Sequence, residues 1–143
     1  MYRHLLVPVD CTENSRHLAH RVARFAAPLI PCKVTLAAAI TPTEDSELRG
    51  KRTRHANDAL RSLKQLLLQE GIWSHSRVVE GNDHAAALVR EALNESELYD
   101  LIVLGTYQTL PEDYDAPCKG SFADQICRRT HLPVLVLPDM YEG

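Results

Sequence analysis

The sequence predicts an α/β fold: an open parallel sheet of five strands with helices on both faces. Three observations predict it. Short runs that are apolar at every position, such as LLVPV at 5–9 and LIVLG at 101–105, suit strands covered on both sides. Between such runs lie stretches with helical apolar spacing, long enough to serve as crossovers. The two alternate along the whole chain, whose 143 residues give room for one domain, 1–143, and too little for two independent cores.

Residues 5–9 form the first strand, ending at Asp10, and Pro8 belongs near its end because a central strand loses a ladder donor at proline. From Thr12 the period changes. Leu18, Val22, Phe25 and Ala26 recur at helical spacing, Thr12 can cap the start, and Pro28 and Pro31 bound the end. Residues 33–40, KVTLAAAI, are the second strand. Residues 41–50 are polar, acidic and turn-like, so the long second helix is expected from about Arg52 to Glu70. Its stripe is Ala56, Ala59, Leu60, Leu63, Leu66 and Leu67, and Gly71 suits a left-handed closing position. Residues 72–80 are the third strand. Asn82 or Asp83 can cap a helix whose apolar face is Ala86, Val89, Ala92 and Leu93. Residues 101–105 are the fourth strand. A short helix with Phe122, Ala123, Ile126 and Cys127 then leads to the last strand at 133–138. From pattern alone, strand orders 2-1-3-4-5 and 3-2-1-4-5 are both open, with every crossover right-handed.

Composition excludes several classes. Hydrophobic residues make up 45% and charged residues 24%, and no apolar run approaches the ~20 residues of a membrane span, so no membrane insertion is expected. The opening MYRHLLVPVD reaches an acid at Asp10, unlike a secretory signal, which makes the cytoplasm the expected location. The net charge of -3 provides no general attraction to nucleic acid. The basic run Arg49, Lys51, Arg52, Arg54, His55 lacks interleaved aromatics and follows Glu44, Asp45 and Glu47, so it reads as a solvated helix start. Cys11, Cys32, Cys118 and Cys127 form no CxxC, and no His/Cys cluster has metal-site spacing.

Open α/β sheets bind ligands beyond the carboxyl ends of their strands, where the strand order reverses. That rule selects Asp10, Cys11 and Thr12 after the first strand, Ala38 and Ala39 on the second, and Gly105 and Thr106 after the fourth. Gly120 and Ser121, at the start of the last helix, can offer amides and a hydroxyl to phosphate oxygens.

VPVD near the start, VVEGND before the third helix, LIVLGT, and GSFADQICRRTHLPVLVLP together resemble the universal stress protein family, over residues 3–138. The resemblance implies the order 3-2-1-4-5, a Rossmann-like, adenine nucleotide α-hydrolase-like sheet with a proline in its first strand. It also implies a ligand cleft between strands one and four. In members that bind ATP, the phosphate loop reads Gly-x-x-Gly, nine residues, then Gly-Ser or Gly-Thr. Carried over, Asp10 contacts the nucleoside side and Ala39 lines the adenine pocket. Gly105 opens the phosphate loop, and Gly120 with Ser121 closes it. Cys11 stands where the family has glycine, and Thr12 where it has serine. ATP, with magnesium if bound, is the cofactor the resemblance brings into question. Two departures oppose it: Gln108 replaces the second glycine, and eleven residues rather than nine separate it from Gly120. Glu112, Asp113 and Asp115 also add negative charge to that loop.

The expected function is therefore a small dimeric stress-response or signalling protein with a degenerate adenine-nucleotide site. The alternative is an ATP-binding member acting as a nucleotide-dependent switch. No enzyme is expected: residues 10–15 lack the glycines of an ATP-pyrophosphatase-like loop, and no Walker, G-x-S-x-G or H-E-x-x-H sequence occurs. No catalytic residue and no metal ligand is assigned. Cys11 and Cys118 would flank the cleft, which makes a redox pair conceivable. Under the order 3-2-1-4-5, Val134, Leu135, Val136 and Leu137 form an apolar edge strand, and such an edge calls for a partner. The family resemblance points to the same place, so a homodimer through this strand is expected, with an unidentified protein as a further partner class.

Overall fold

The computed structural model describes residues 2–105 and 122–137. Five strands, β1 (His4–Val9), β2 (Lys33–Ile40), β3 (Ser74–Glu80), β4 (Leu101–Gly105) and β5 (Val134–Leu137), alternate with four helices. The helices are α1 (Glu13–Ala26), α2 (Ser46–Gln69), α3 (His84–Ala92) and α4 (Phe122–Arg129). All pairings are parallel, in the order β3-β2-β1-β4-β5. Of the two orders left open by periodicity, this is the one implied by the family resemblance.

Both faces of the sheet are covered. Leu5, Val7 and Val9 alternate with Leu6 along β1, and Leu101 and Val103 with Ile102 and Leu104 along β4. One set packs with Leu18 and Val22 of α1 and Leu60 and Leu67 of α2; the other packs with Leu88 of α3 and Phe122 and Ile126 of α4. This two-sided burial is why the central strands are apolar at successive positions rather than at alternate ones.

Local physics explains most helix limits. Thr12 occupies the N-cap of α1 without a side-chain cap bond, because its hydroxyl turns to Asp10 instead. α2 starts at Ser46, earlier than its apolar stripe suggests. Asp45 caps it, accepting from the amides of Glu47 and Leu48 at 3.0 and 3.2 Å, so the polar stretch after 45 is its solvated first turns. Gly71 closes the exit from α2 with φ of 84°, where a side chain would be strained. Asp83, rather than Asn82, caps α3 through the Ala86 amide. The buried face of α3 is Ala85, Ala87, Leu88, Glu91 and Ala92, which corrects the expected face; Leu93 is exposed. In an alanine-rich helix, neighbouring stripes have nearly equal apolar content, so periodicity alone does not choose between them.

A polar network closes the amino-terminal end of the sheet. Glu91 accepts a 2.6 Å hydrogen bond from the Tyr99 hydroxyl and lies 2.7 Å from Arg77 Nε. The Arg77 N–H does not point at that oxygen, so the second contact is one of charge. His4 stacks obliquely on Tyr99, with ring centroids 4.4 Å apart. Its Nδ1 meets the Glu97 carbonyl at 2.6 Å and, since a carbonyl only accepts, must donate. In the neutral ring, Nε2 is then left to accept from Thr35, 2.7 Å away. The Asp100 carboxylate accepts from the amides of Arg3 and His4. Together these bonds tie the entry to β4 against β1 and β2.

Candidate functional site

β1 is the switch point: β2 lies on one side of it and β4 on the other. Backbone chemistry makes its two sides different. The β1–β2 ladder runs through six residue pairs, His4↔Lys33 to Val9↔Ala38, whereas the β1–β4 ladder has two, Leu5↔Leu101 and Leu6↔Ile102. The Asp100 amide donates to the His4 carbonyl, and the Lys33 amide to the Arg3 carbonyl. By the alternation of a parallel ladder, His4, Leu6 and Pro8 therefore direct their backbone groups toward β4, and Leu5, Val7 and Val9 toward β2. The donor that would continue the β1–β4 ladder is the one proline lacks. Pro8 thus leaves the β2 side intact and withholds the donor that would extend the β1–β4 residue pairs beyond Leu6↔Ile102.

Immediately beyond, the β1–α1 turn is held by Asp10. Its Oδ1 accepts three hydrogen bonds: from the Thr12 amide at 3.0 Å, the Thr12 hydroxyl at 2.6 Å and the Ser15 hydroxyl at 2.8 Å. Ser15, 1% exposed, accepts in return from the Asp10 amide at 3.0 Å. One carboxylate oxygen therefore sets the shape of the loop facing the switch point.

Cys11 sits in this turn with φ of 63°. A left-handed backbone favours glycine, which accounts for the residue type expected there by resemblance. Burial, followed by the negative charge of Asp10, pushes the Cys11 thiol above its ordinary pKa, which opposes thiolate chemistry. Cys118, the other half of the conceivable redox pair, lies outside the described residues. Cys11→Gly is expected to leave thermal stability within about 1 kcal/mol, since relief of strain offsets lost packing and added chain entropy. Cys11→Val should cost about 1–3 kcal/mol, because a β-branched residue resists positive φ. Equal melting of the valine variant and the parent would refute the strain argument.

Register brings three of the predicted site residues to one end of three neighbouring strands. One step beyond Val9↔Ala38 sets Asp10 level with Ala39, and continuation from Leu6↔Ile102 sets Gly105 level with Val9. Ala39 is half-buried opposite Val79. Among the described residues, the nearest atoms to a methyl group added at Gly105 belong to the Leu18 side chain, at 3.6–3.8 Å, which is ordinary contact. Thr12 joins this group through Asp10; Gly120 and Ser121 lie outside the described residues. Sequence reasoning missed Ser15. A serine three residues after an N-cap carries no special signal until its hydroxyl is seen under the Asp10 carboxylate.

A model of the Universal stress protein family matches residues 1–138. The chain belongs to the universal stress protein family. No curated protein matches the sequence at a significant level. Among solved structures, a universal stress protein in complex with cAMP has 20% identity, covering 97% of this chain and 99% of its own, with a TM-score of 0.76. The Archaeoglobus fulgidus universal stress protein in complex with dAMP has 18% identity, covering 94% and 97%, with a TM-score of 0.69. An Arabidopsis thaliana family member with AMP bound has 11% identity, covering 98% and 94%, with a TM-score of 0.70. At such identities the likeness is one of fold, and the family's open sheet is the one described above. Among the described residues, no helix of this universal stress protein is long and apolar enough to cross a membrane.

Proposed function

We propose that this universal stress protein binds an adenine nucleotide where β2, β1 and β4 end, as a cytoplasmic binding and signalling protein rather than an enzyme. The observation that carries the reading is the β1–β4 ladder ending after Leu6↔Ile102 at the switch point of the sheet. The residues on either side, Ala39 and Gly105, are small, and Asp10 supplies a carboxylate between them. Three relatives of the same fold carry cAMP, dAMP and AMP, which supports an adenine nucleotide as the ligand class. Gly120 and Ser121 are assigned to the phosphate side. If ATP binds, magnesium accompanies its phosphates.

The departures in the phosphate loop favour the degenerate form of this site over an ATP switch. Gln108 and the lengthened spacing alter the end of the site that would wrap a triphosphate, while Asp10 and Ala39 preserve the nucleoside end. AMP should consequently bind at least as tightly as ATP with magnesium. Calorimetric titration of protein stripped of copurified ligand tests this. Asp10→Asn keeps an oxygen to accept in the turn but removes the charge, and should weaken AMP about tenfold, the value of a lost charge-assisted hydrogen bond. Absence of saturable binding at millimolar AMP and ATP would overturn the proposal, and much tighter ATP would restore the switch reading.

A further inference from the structure

The edge of the sheet opposite β5 is β3, and its exposed side has a distinctive composition. The Gly81 amide donates to the Ile40 carbonyl at 3.1 Å. Ladder alternation then directs the backbone groups of the odd-numbered β3 residues toward β2. Those of Ser74, Ser76, Val78 and Glu80 turn outward, with no strand beyond them among the described residues. The same even-numbered residues line two open grooves between β3 and α2. One, of about 450 Å³, is bounded by Arg61, Lys64 and Leu68 of α2 and by Trp73, Ser74 and Ser76. The other, of about 760 Å³, continues past Arg54, Val78 and Glu80.

Three features distinguish this surface from an ordinary solvated edge. Trp73, the only tryptophan of the chain, is 79% exposed, and Leu68 beside it is half exposed. Ser74 is 6% exposed, and its buried hydroxyl has no hydrogen-bond partner among the described residues. The charge is also locally inverted. α2 carries Arg49, Lys51, Arg52, Arg54, Arg61 and Lys64 against Glu47 and Asp58, in a chain of net charge -3. Glu80 neutralises Arg49 at 2.7 Å, and Asp58 approaches Arg61 at 3.6 Å in full solvent, where such a pair contributes little. Lys64 and Arg54 add their charge along the same border.

We propose that β3 takes an extended acidic segment of a partner protein as an added strand, with Trp73 as its apolar anchor. Outward backbone groups give such a segment its main-chain hydrogen bonds, and the grooves receive alternate side chains. The basic face of α2 selects acids. The two grooves in line along β3 fit a linear occupant better than a compact anion, which would fill one of them. A second copy of this chain is disfavoured, because it would bring a second basic α2 to the same edge. The surface lies across the sheet from β5 and is separate from the nucleotide reading of Asp10.

Trp73 reports on the proposal directly. The probe is a capped peptide of alternating glutamate and valine, about as long as β3, titrated into the intact protein. A saturable blue shift of Trp73 emission, weakening with salt, is expected, with no shift from a lysine–valine peptide or from AMP. Arg61→Glu with Lys64→Glu should raise the dissociation constant at least about tenfold. Ser76→Pro removes an outward donor at a position an edge strand tolerates, and should have a comparable effect with the fold retained. Should that variant fail to fold, hydrogen exchange of the unmodified protein decides, since the peptide must protect the Ser76 and Val78 amides. The proposal is overturned by unchanged protection, by unaltered peptide binding to folded Ser76→Pro, or by absence of a Trp73 response. A response to a single-stranded oligonucleotide in place of the peptide, or self-association abolished by Ser76→Pro, would overturn it equally.

Discussion

Glu91→Ala will destabilise the folded chain by about 2–4 kcal/mol, below the 3–5 of a fully buried ion pair because Arg77 can regain water. Glu91 is 7% exposed and serves two groups at once, the Tyr99 hydroxyl and the Arg77 guanidinium. Truncation strands the hydroxyl in the core, leaves the cation without its closest countercharge and opens a void under α3. Glu91→Gln keeps an oxygen for Tyr99 and removes only the charge, so it should lie between the parent and the alanine variant. Urea unfolding at neutral pH checks the order; an alanine variant as stable as the parent would mean that the network is incidental.

The same network has a pH signature. Tyr99 ionisation is pushed up first by burial, then by its hydrogen bond to Glu91 and by the negative charges of Glu91 and Glu97; Arg77 pulls weakly the other way. The folded state therefore holds the phenol neutral after the unfolded chain has begun to ionise. The sign follows: this contribution is fully present below the unfolded tyrosine value of about 10, and is lost as pH rises through the folded value. Tyr99→Phe should lower stability by about 1 kcal/mol at neutral pH and flatten the loss above about pH 10. Parallel slopes for parent and variant would reject the assignment.

If this universal stress protein dimerises through β5, Val136→Lys will raise its dissociation constant about a hundredfold, equivalent to roughly 3 kcal/mol. Among the described residues β5 is an edge of the sheet, and Val134, Leu135, Val136 and Leu137 are all only half-buried, in contrast to Leu101–Leu104 alongside. The Ile102 amide donates to the Pro133 carbonyl, so the alternation turns the backbone groups of Val134 and Val136 away from β4. A strand with outward donors and half-covered valines and leucines is suited to self-pairing about a two-fold axis. Lysine at 136 brings like charges together across that axis, and Val136→Pro removes an outward donor without touching the β4 ladder. Sedimentation equilibrium gives the answer. A parent that stays monomeric at all concentrations sinks the proposal, and a folded, equally dimeric lysine variant moves the interface elsewhere.

Local chemistry wrote the elements into the sequence. Runs such as LIVLG can be satisfied only between two covering layers, Gly71 closes α2 because glycine takes positive φ without the strain a side chain brings, and Asp83 caps α3 with the nearest available oxygen. Asp10, Ala39 and Gly105 could be placed at strand ends on the same grounds. Strand order could not, because a strand's period records which faces are buried and not which neighbour it pairs with; resemblance to the family supplied the order. Tertiary structure decided the rest. It directed the missing donor of Pro8 toward β4 and folded the Asp10 carboxylate into its own turn. It chose the buried face of an alanine-rich helix and placed Glu91 on it. The Asp10 turn is local, closed by Thr12 and Ser15, but its shape depends on which oxygen those groups find. The others depend on a partner distant in the chain or on the direction of one backbone bond, and residue type alone carries none of these.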